Sequence, residues 1–291
     1  MATAVKVTGV KRKKQAGNFW LYVFLIIVSL IVLFPVEYII LGSFKTNMEL
    51  RGYGNHLIPT VWVLDNYKEA WEKAHFEKYT WNSLYMSAAI VIGSIFTTTM
   101  TGYTFERGKF KGKKILWSFI VSSMFVSLGS LTLYPLLMIA KVFGLNTSLW
   151  GVIVIRVFGL NVTHLYITRS YIRTISTEID DAAKIDGCSF FGIYRRVIFP
   201  LLKPLISTIA ILEFRAAWND YLLPLVFTLS DKNRQPLIVA VIKLKSTAGE
   251  GAAAWNLMLA GSSIALIPMI IVYLIFNRYF ISGLTAGAVK G

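Results

Sequence analysis

The chain has 291 residues, a mean hydropathy of +0.59 and 15% charged residues, where soluble domains carry about a quarter. With 55% of its residues hydrophobic it is excluded from the ordinary water-soluble enzymes and binding modules. A formal charge of +15 would suit a nucleic-acid partner, but the bases fall in blocks between apolar runs and not in an aromatic-interleaved groove, so no nucleic acid is expected.

In chain order, residues 1–18 form a basic tail carrying Lys6, Lys11, Arg12, Lys13 and Lys14. The run 19–44 contains one acid, Glu37, and no base. A helix crossing the hydrocarbon layer needs about 20 mostly apolar residues, so this run is long enough. It is too long for a cleavable signal and is expected to remain as an anchor. The runs 83–105, 115–140 and 150–168 have the same character. Two further windows are interrupted: 205–229 by Glu213, Arg215, Asp220 and Pro224, and 257–280 by Pro268 and Asn277. The expectation is an all-α integral membrane protein with six spans.

Basic residues crowd alternate connections. Arg107, Lys109, Lys111, Lys113 and Lys114 lie between the second and third runs, and Arg169, Arg173, Lys184, Arg195, Arg196 and Lys203 between the fourth and fifth. Cytoplasmic loops hold the excess of Lys and Arg, so both termini are expected in the cytoplasm. On the other side, the segment 45–81 contains Trp62, Trp71 and Trp81, read as interfacial anchors. Within it, 65–78 has helical spacing, with Tyr67, Ala70, Trp71 and Ala74 on one face, and is expected on the membrane surface. A second outer segment, 231–255, holds the glycine-alanine stretch 248–254, a flexible connector by composition.

Several chemistries are absent from the sequence. Cys188 is alone, so no intramolecular disulfide can form, and His56, His75 and His164 have no metal-ligand spacing. No G-x-x-x-x-G-K-[ST] occurs; Gly108 and Gly112 precede Lys113 at the wrong spacing. The chain therefore has no nucleotide-hydrolysing loop of that kind and is not expected to be an enzyme.

The basic connection 169–204 has too much local order for a solvated linker. Ser176 or Thr177 can cap a helix whose first turn carries Glu178, Asp180 and Asp181, where carboxylates favour the positive helix end. Gly187 supplies a stop. Two to three turns cannot hold alone in water, so this helix must pack on something. Ile179, Ala182, Ala183 and Asp186 share a narrow face by their spacing. Ser189 can cap a second helix over 190–197, which runs into Phe199-Pro200 and Lys203-Pro204. The whole reads as a rigid elbow joined to a span.

Here the sequence resembles the permeases of ATP-binding-cassette importers, whose cytoplasmic signature is E-A-A-x-x-x-G-x(9)-I-x-L-P. Asp181-Ala182-Ala183, Gly187, Val197 and Phe199-Pro200 match every spacing, with Asp for Glu, Val for Ile and Phe for Leu. Over nearly its whole length the chain is similar to the shorter membrane subunit of the maltose-type sugar permeases. Asn82-Ser83-Leu84 resembles their N-[TS]-L opening of the second span, and the stretch from Gly102-Tyr103 to Lys109 their A-Y-x-x-x-R-x-x-F turn. The stretch 213–224 resembles their W-N-x-x-x-x-P element, and 278–280 with 283–291 their C-terminal tail. Ser176, Cys188 and Glu37 depart from the usual proline, alanine or glycine, and uncharged residue at these places.

The resemblance implies a type I importer permease fold with a basic tail at 1–18, a membrane domain at 19–282 (core about 82–280, coupling helix about 176–187) and a cytoplasmic tail at 283–291. It implies import of a sugar or oligosaccharide across the bacterial cytoplasmic membrane. The partners would be a second, different permease, two ATPase subunits that bind the ATP and Mg, and an extracytoplasmic sugar-binding protein. ATPase coupling would fall to Glu178, Asp181, Ala182, Ala183, Asp186, Gly187 and Pro200, and a further ATPase contact to the tail at Gly283 and Lys290. Binding-protein contact would fall in the last outer loop, at Ala248, Gly249, Glu250, Gly251 and Trp255.

Ionisable residues inside spans are functional candidates because an unpaired charge there costs about 2.5–3.5 kcal/mol even on the lenient scale. Glu37, Arg156, Glu213, Arg215 and Asp220 qualify, and pairing within the bundle is expected for Glu213 and Arg215. Trp218, Asn219, Asp220, Tyr221 and Arg156 are candidates for the substrate pathway, since sugars call for flat aromatic surfaces beside amide or carboxylate groups. Arg156 with His164 would suit an acidic, uronate cargo, although His164 reads as a packing residue near the inner interface. Two other classes remain open by sequence. A gradient-driven carrier would show inverted repeats, of which there is no sign, and a membrane-embedded transferase would need converging acids or a metal site.

Overall fold

The structure is a computed structural model that describes residues 8–52, 56–126, 128–248 and 253–288, with side chains over 19–52, 56–126, 128–246 and 253–276. Its regular elements are all helices, with no strand among the described residues. Helix α1 (Thr8–Gly42) begins inside the basic tail and has Pro35 within it. Within its apolar part, Phe19–Gly42, the most apolar stretch of 18 residues has none buried against the rest of the chain. Helix α1 docks at its far end, where a side chain on Gly42 would sit 2.7 Å from Leu259.

Short helices α2 (Asn47–Arg51) and α3 (Asp65–Lys73) follow. The expected surface helix over 65–78 is cut at His75, which takes a left-handed φ of 44°. Its apolar face does not lie open to the membrane: Ala70 and Ala74 are buried in a core with Phe76, Phe214, Trp218 and Leu257. Tyr67 shares hydrogen bonds with Ser43 (2.7 Å) and Ser263 (3.1 Å), and buried Asn66 donates to the Ser43 and Lys45 carbonyls. Only Trp71 of that face stays exposed, stacked flat on Phe76 at 5.2 Å between ring centres.

Helix α4 (Phe76–Arg107) is the long central strut. Its glycines allow close approach: a Cβ on Gly102 would meet Thr168 at 2.6 Å. The run expected as one span at 115–140 is instead broken, with α5 (Lys113–Ser122) and α6 (Leu133–Val142) separated by two single 3₁₀ turns, Ser123–Phe125 and Gly129–Thr132. The fourth run divides into α7 (Leu149–Phe158) and α8 (Val162–Arg173), bent by 42°. The break has a local cause. A side chain at Gly159 would lie 2.5 Å from the Ile155 carbonyl oxygen, Leu160 has φ of 39°, and Asn161 caps α8 by accepting from the Thr163 and His164 amides.

The elbow contains α9 (Thr177–Ile185), α10 (Phe190–Ile193), a π turn at Tyr194–Ile198 and α11 (Phe199–Leu201). Helix α12 (Lys203–Trp218) leaves it at 79°. The fifth run is interrupted after Trp218, resuming as α13 (Leu222–Phe227), and α14 (Leu237–Leu244) precedes the final helix α15 (Trp255–Ala288). Because α15 is helical through Ala288, Gly283 lies within it and not in a separate tail.

Among the described residues, three helices are long and apolar enough to cross a membrane, or five if each of two bent pairs is one crossing. Gly129–Val142 is shorter. Three buried clusters follow the packing: α3 with α12, α14 and α15; α4 with α7 and α13; and α4 with α8, the elbow and α12.

Candidate functional site

Two sites emerge, one at the elbow and one inside the helix bundle. At the elbow, Ser176 accepts from the Glu178 amide at 3.3 Å, and Ser189 accepts from the Gly192 amide at 3.2 Å, so both short helices carry the caps their sequence offers. Gly187 has φ of 80°, a left-handed stop, and open space where a side chain would be.

The helix faces differ from the spacing-based expectation. Asp180 and Ala183 turn inward, 3% and 7% exposed, whereas Ile179, Ala182 and Asp186 face outward with Glu178 and Asp181. Ala183 thus packs on its own chain in a core with Tyr103, Ile172, Tyr194 and Leu205. Asp180 lies 2.8 Å from Arg107 Nε, and Arg107 also donates to the carbonyls of Ile172 and Ile175. One helix over, Glu106 meets Arg169 at 2.8 Å and Arg173 at 3.2 Å. The Glu106 pairs fasten α4 to α8, and the buried Arg107–Asp180 pair fastens α4 to the elbow. Asp181 pairs with Lys184 at 2.7 Å, and that hydrogen bond holds its carboxyl below the usual carboxylate range. Ile185, which spacing did not single out, is 87% exposed at the end of α9, and Pro200 is exposed as well.

In the bundle, the three interrupted runs meet. A cavity of about 590 Å³ is lined by Gly129, Ser130 and Thr132 from the first break, by Arg156, Gly159 and Asn161 from the second, and by Glu213, Asp220, Leu222 and Leu223 around the third. Helix breaks are tolerated at membrane depth where they line a cavity or are buried in protein, which is where these fall.

Arg156 and Asp220 are joined: Nε donates to Oδ2 at 3.1 Å and Nη2 closes on the same oxygen. His164 and Glu213, both about 5% exposed, approach to 2.7 Å between Nδ1 and Oε1, and Asn161 donates to Oε1 at 3.5 Å. His164 is therefore buried beside an acid, at the first turn of α8.

The remaining pathway candidates lie elsewhere. Trp218 is 3% exposed, stacks on Phe214 and donates from Nε1 to the Ala265 carbonyl at 3.1 Å. Asn219 turns back to the Arg215 carbonyl at 2.9 Å. Arg215 is exposed and forms no ion pair among the described residues, against the pairing expected of it; Tyr221 is half-buried. Among the described residues, no aromatic ring lines the cavity.

Of the outer-loop candidates, Ala248 ends a 3₁₀ turn, and Trp255 opens α15 with its amide donating to Asn47 and the Lys245 ammonium over its ring at 4.2 Å. Gly249, Glu250, Gly251 and Lys290 lie outside the described residues.

Comparison with known proteins fits this geometry. Residues 99–285 match the family described as binding-protein-dependent transport system inner membrane component. The arabinooligosaccharides transport system permease of Bacillus subtilis is 33% identical over 93% of this chain and 95% of its own length. A probable starch degradation products transport system permease from Thermoanaerobacterium thermosulfurigenes is 33% identical over 96% of this chain and 99% of its own. The maltodextrin transport system permease of Bacillus subtilis is 27% identical over 93% and 95%. Among solved structures, that of a bacterial ABC transporter involved in the import of the acidic polysaccharide alginate has a TM-score of 0.76 at 22% identity, covering 96% of this chain and 100% of its own, which marks a shared fold. With its elbow and its broken, cavity-lining helices, the chain belongs to the inner membrane components of binding-protein-dependent transport systems.

Proposed function

We propose that this chain is one of two different membrane subunits of an ATP-driven importer for an uncharged sugar or oligosaccharide in the bacterial cytoplasmic membrane. It crosses six times, the third crossing being the broken pair α5–α6, with both ends in the cytoplasm beside the basic connections. The elbow is the coupling helix. Glu178, Asp181, Ala182, Asp186, Gly187 and Pro200 face or border the ATPase subunit, which binds ATP and Mg, while Ala183 anchors the helix on its own chain. Binding protein docks on the opposite side near Ala248 and Trp255.

The observation that carries this reading is the elbow's two-sidedness. Inward it is pinned by Asp180 and Ala183; outward it presents Ile185 at 87% exposure beside small and acidic residues. An isoleucine so bare on a water-facing helix of nine residues suits a groove on a partner. Helix α1 points the same way. An apolar limb that packs so little on its own chain suits a companion permease.

The cavity supports the cargo assignment. Its charged wall holds one base, Arg156, and two acids, Asp220 and Glu213, and the base is already paired. Among the described residues of this wall a uronate would find no spare cation, whereas sugar hydroxyls can both donate and accept along it. The relatives named for arabinooligosaccharides, starch products and maltodextrin favour the same class.

The single cysteine provides the test. Cys188 is half-buried in the elbow, so a membrane-impermeant maleimide should label it in inside-out vesicles lacking the ATPase and lose access once the ATPase is bound. Labelling from the outer side would sink the reading. Purified complex with its binding protein should then hydrolyse ATP faster with arabinotriose or maltotriose than with trigalacturonate; the reverse order would transfer the assignment to an acidic cargo.

A further inference from the structure

The elbow has two arms, α8 entering and α12 leaving, and both run from it to the cavity. Near the cavity they are linked by His164 on α8 and Glu213 on α12, whose Nδ1 and Oε1 lie 2.7 Å apart. Glu213 is also part of the cavity wall, together with Asn161, whose amide reaches the same carboxylate oxygen. The contacts of this carboxylate with His164 and Asn161 both fall on Oε1, and no partner of the other oxygen, Oε2, is seen among the described residues.

The other charged residues of the wall do not have this double placement. Arg156 and Asp220 are tied to each other, and they sit on α7 and on the link after α12, beyond the arms themselves. The pairs Glu106–Arg169, Glu106–Arg173 and Arg107–Asp180 fasten the arms and elbow to α4 at the far end, away from the cavity residues. Among the described residues, Glu213 on α12, together with Asn161 at the cap of α8, both borders the space for cargo and bridges the two arms of the elbow.

We infer that Glu213 is the positioning residue through which the cavity reports to the elbow. Its Oε2 accepts a hydroxyl of bound saccharide while Oε1 holds His164, so cargo and the α8–α12 clasp compete for or share one carboxylate. A filled cavity then biases the spacing of the arms. This rests on the importer reading and adds the residue that makes hydrolysis answer to cargo. Coupling of this kind is a free-energy difference between two arrangements that both sites sense.

The test uses the assembled complex with its binding protein, with arabinotriose, maltotriose and trigalacturonate as probes. In the Glu213→Gln variant the shape is kept and the charge lost. The ratio of cargo-stimulated to basal ATP hydrolysis should fall by about fivefold, the lower end of ordinary coupling, chiefly because basal hydrolysis rises. His164→Gln should do the same. The double variant His164→Gln with Glu213→Gln restores an amide–amide clasp and should recover part of the ratio. A defect that is merely structural would lower both rates together and would not be rescued. Either that parallel loss, or a wild-type ratio in Glu213→Gln, would overturn the inference while leaving the importer reading intact. A wild-type complex that none of the probes stimulates would overturn both.

Discussion

The elbow and the cavity are built from opposite materials. The elbow lies within some 25 consecutive residues, and its caps, its left-handed glycine and its first-turn acids are all local. The cavity gathers residues from 129 to 223, and each of its walls begins where a helix fails. A site made of short-range rules is robust to changes elsewhere; one made of converging interruptions depends on how every strut is packed. Substitutions should therefore act on assembly and coupling at the elbow, and on cargo at the cavity.

The largest break in that comparison is expected at Gly187. Gly187→Trp places a bulky residue in a left-handed conformation costing about 1–3 kcal/mol and fills the space beside α9, so uptake should fall at least about tenfold with membrane insertion unchanged. Uptake assays with vesicle fractionation check this, and normal transport would count heavily against the elbow's role.

Asp180→Ala comes next. It strands Arg107, whose pair is 12% and 5% exposed, and should destabilise the elbow by about 3 kcal/mol. Limited proteolysis in the 176–200 segment and the thermal midpoint of the complex would register it.

At the cavity, Asp220→Asn should weaken apparent cargo affinity about tenfold by removing a charge-assisted contact. The maximal rate should hold, because the elbow is untouched. Titrating sugar against ATP hydrolysis separates the two; a loss in rate alone would erase the division between the sites.

The smallest effect is expected from Asp181→Asn. The carboxyl is held below its ordinary range by Lys184, so its small contribution exists above the unfolded-state value and is lost as pH falls through the folded one. Comparing thermal midpoints of the variant and parent at neutral pH and near pH 3 should show a slight difference that closes on acidification.

How much of this could be read from the sequence follows the same division. Ser176, Ser189 and Gly187 announce the elbow because capping depends on neighbours within four residues. Which face turns inward could not be read, since Asp180 needs Arg107 from another helix to make its burial tolerable. The apolar run 115–140 reads as one span because hydropathy is blind to backbone breaks, although Gly129 and the serines and threonine around it are a visible hint. At 159–161 the signal was stronger: a glycine and then an asparagine is a helix stop followed by a cap. Trp218 illustrates the converse. A W-N pair beside a carboxylate suggests a sugar platform, yet tertiary packing turns the indole toward Ala265.

The bends at the two arms are unequal, 79° where α12 leaves the elbow and 42° where α8 meets α7 at its far end, and this has a kinematic consequence. A push delivered at the base cannot widen the chamber evenly, because the two levers redirect it along different lines. On the importer reading, the two walls would then be displaced unequally, one relative to the other.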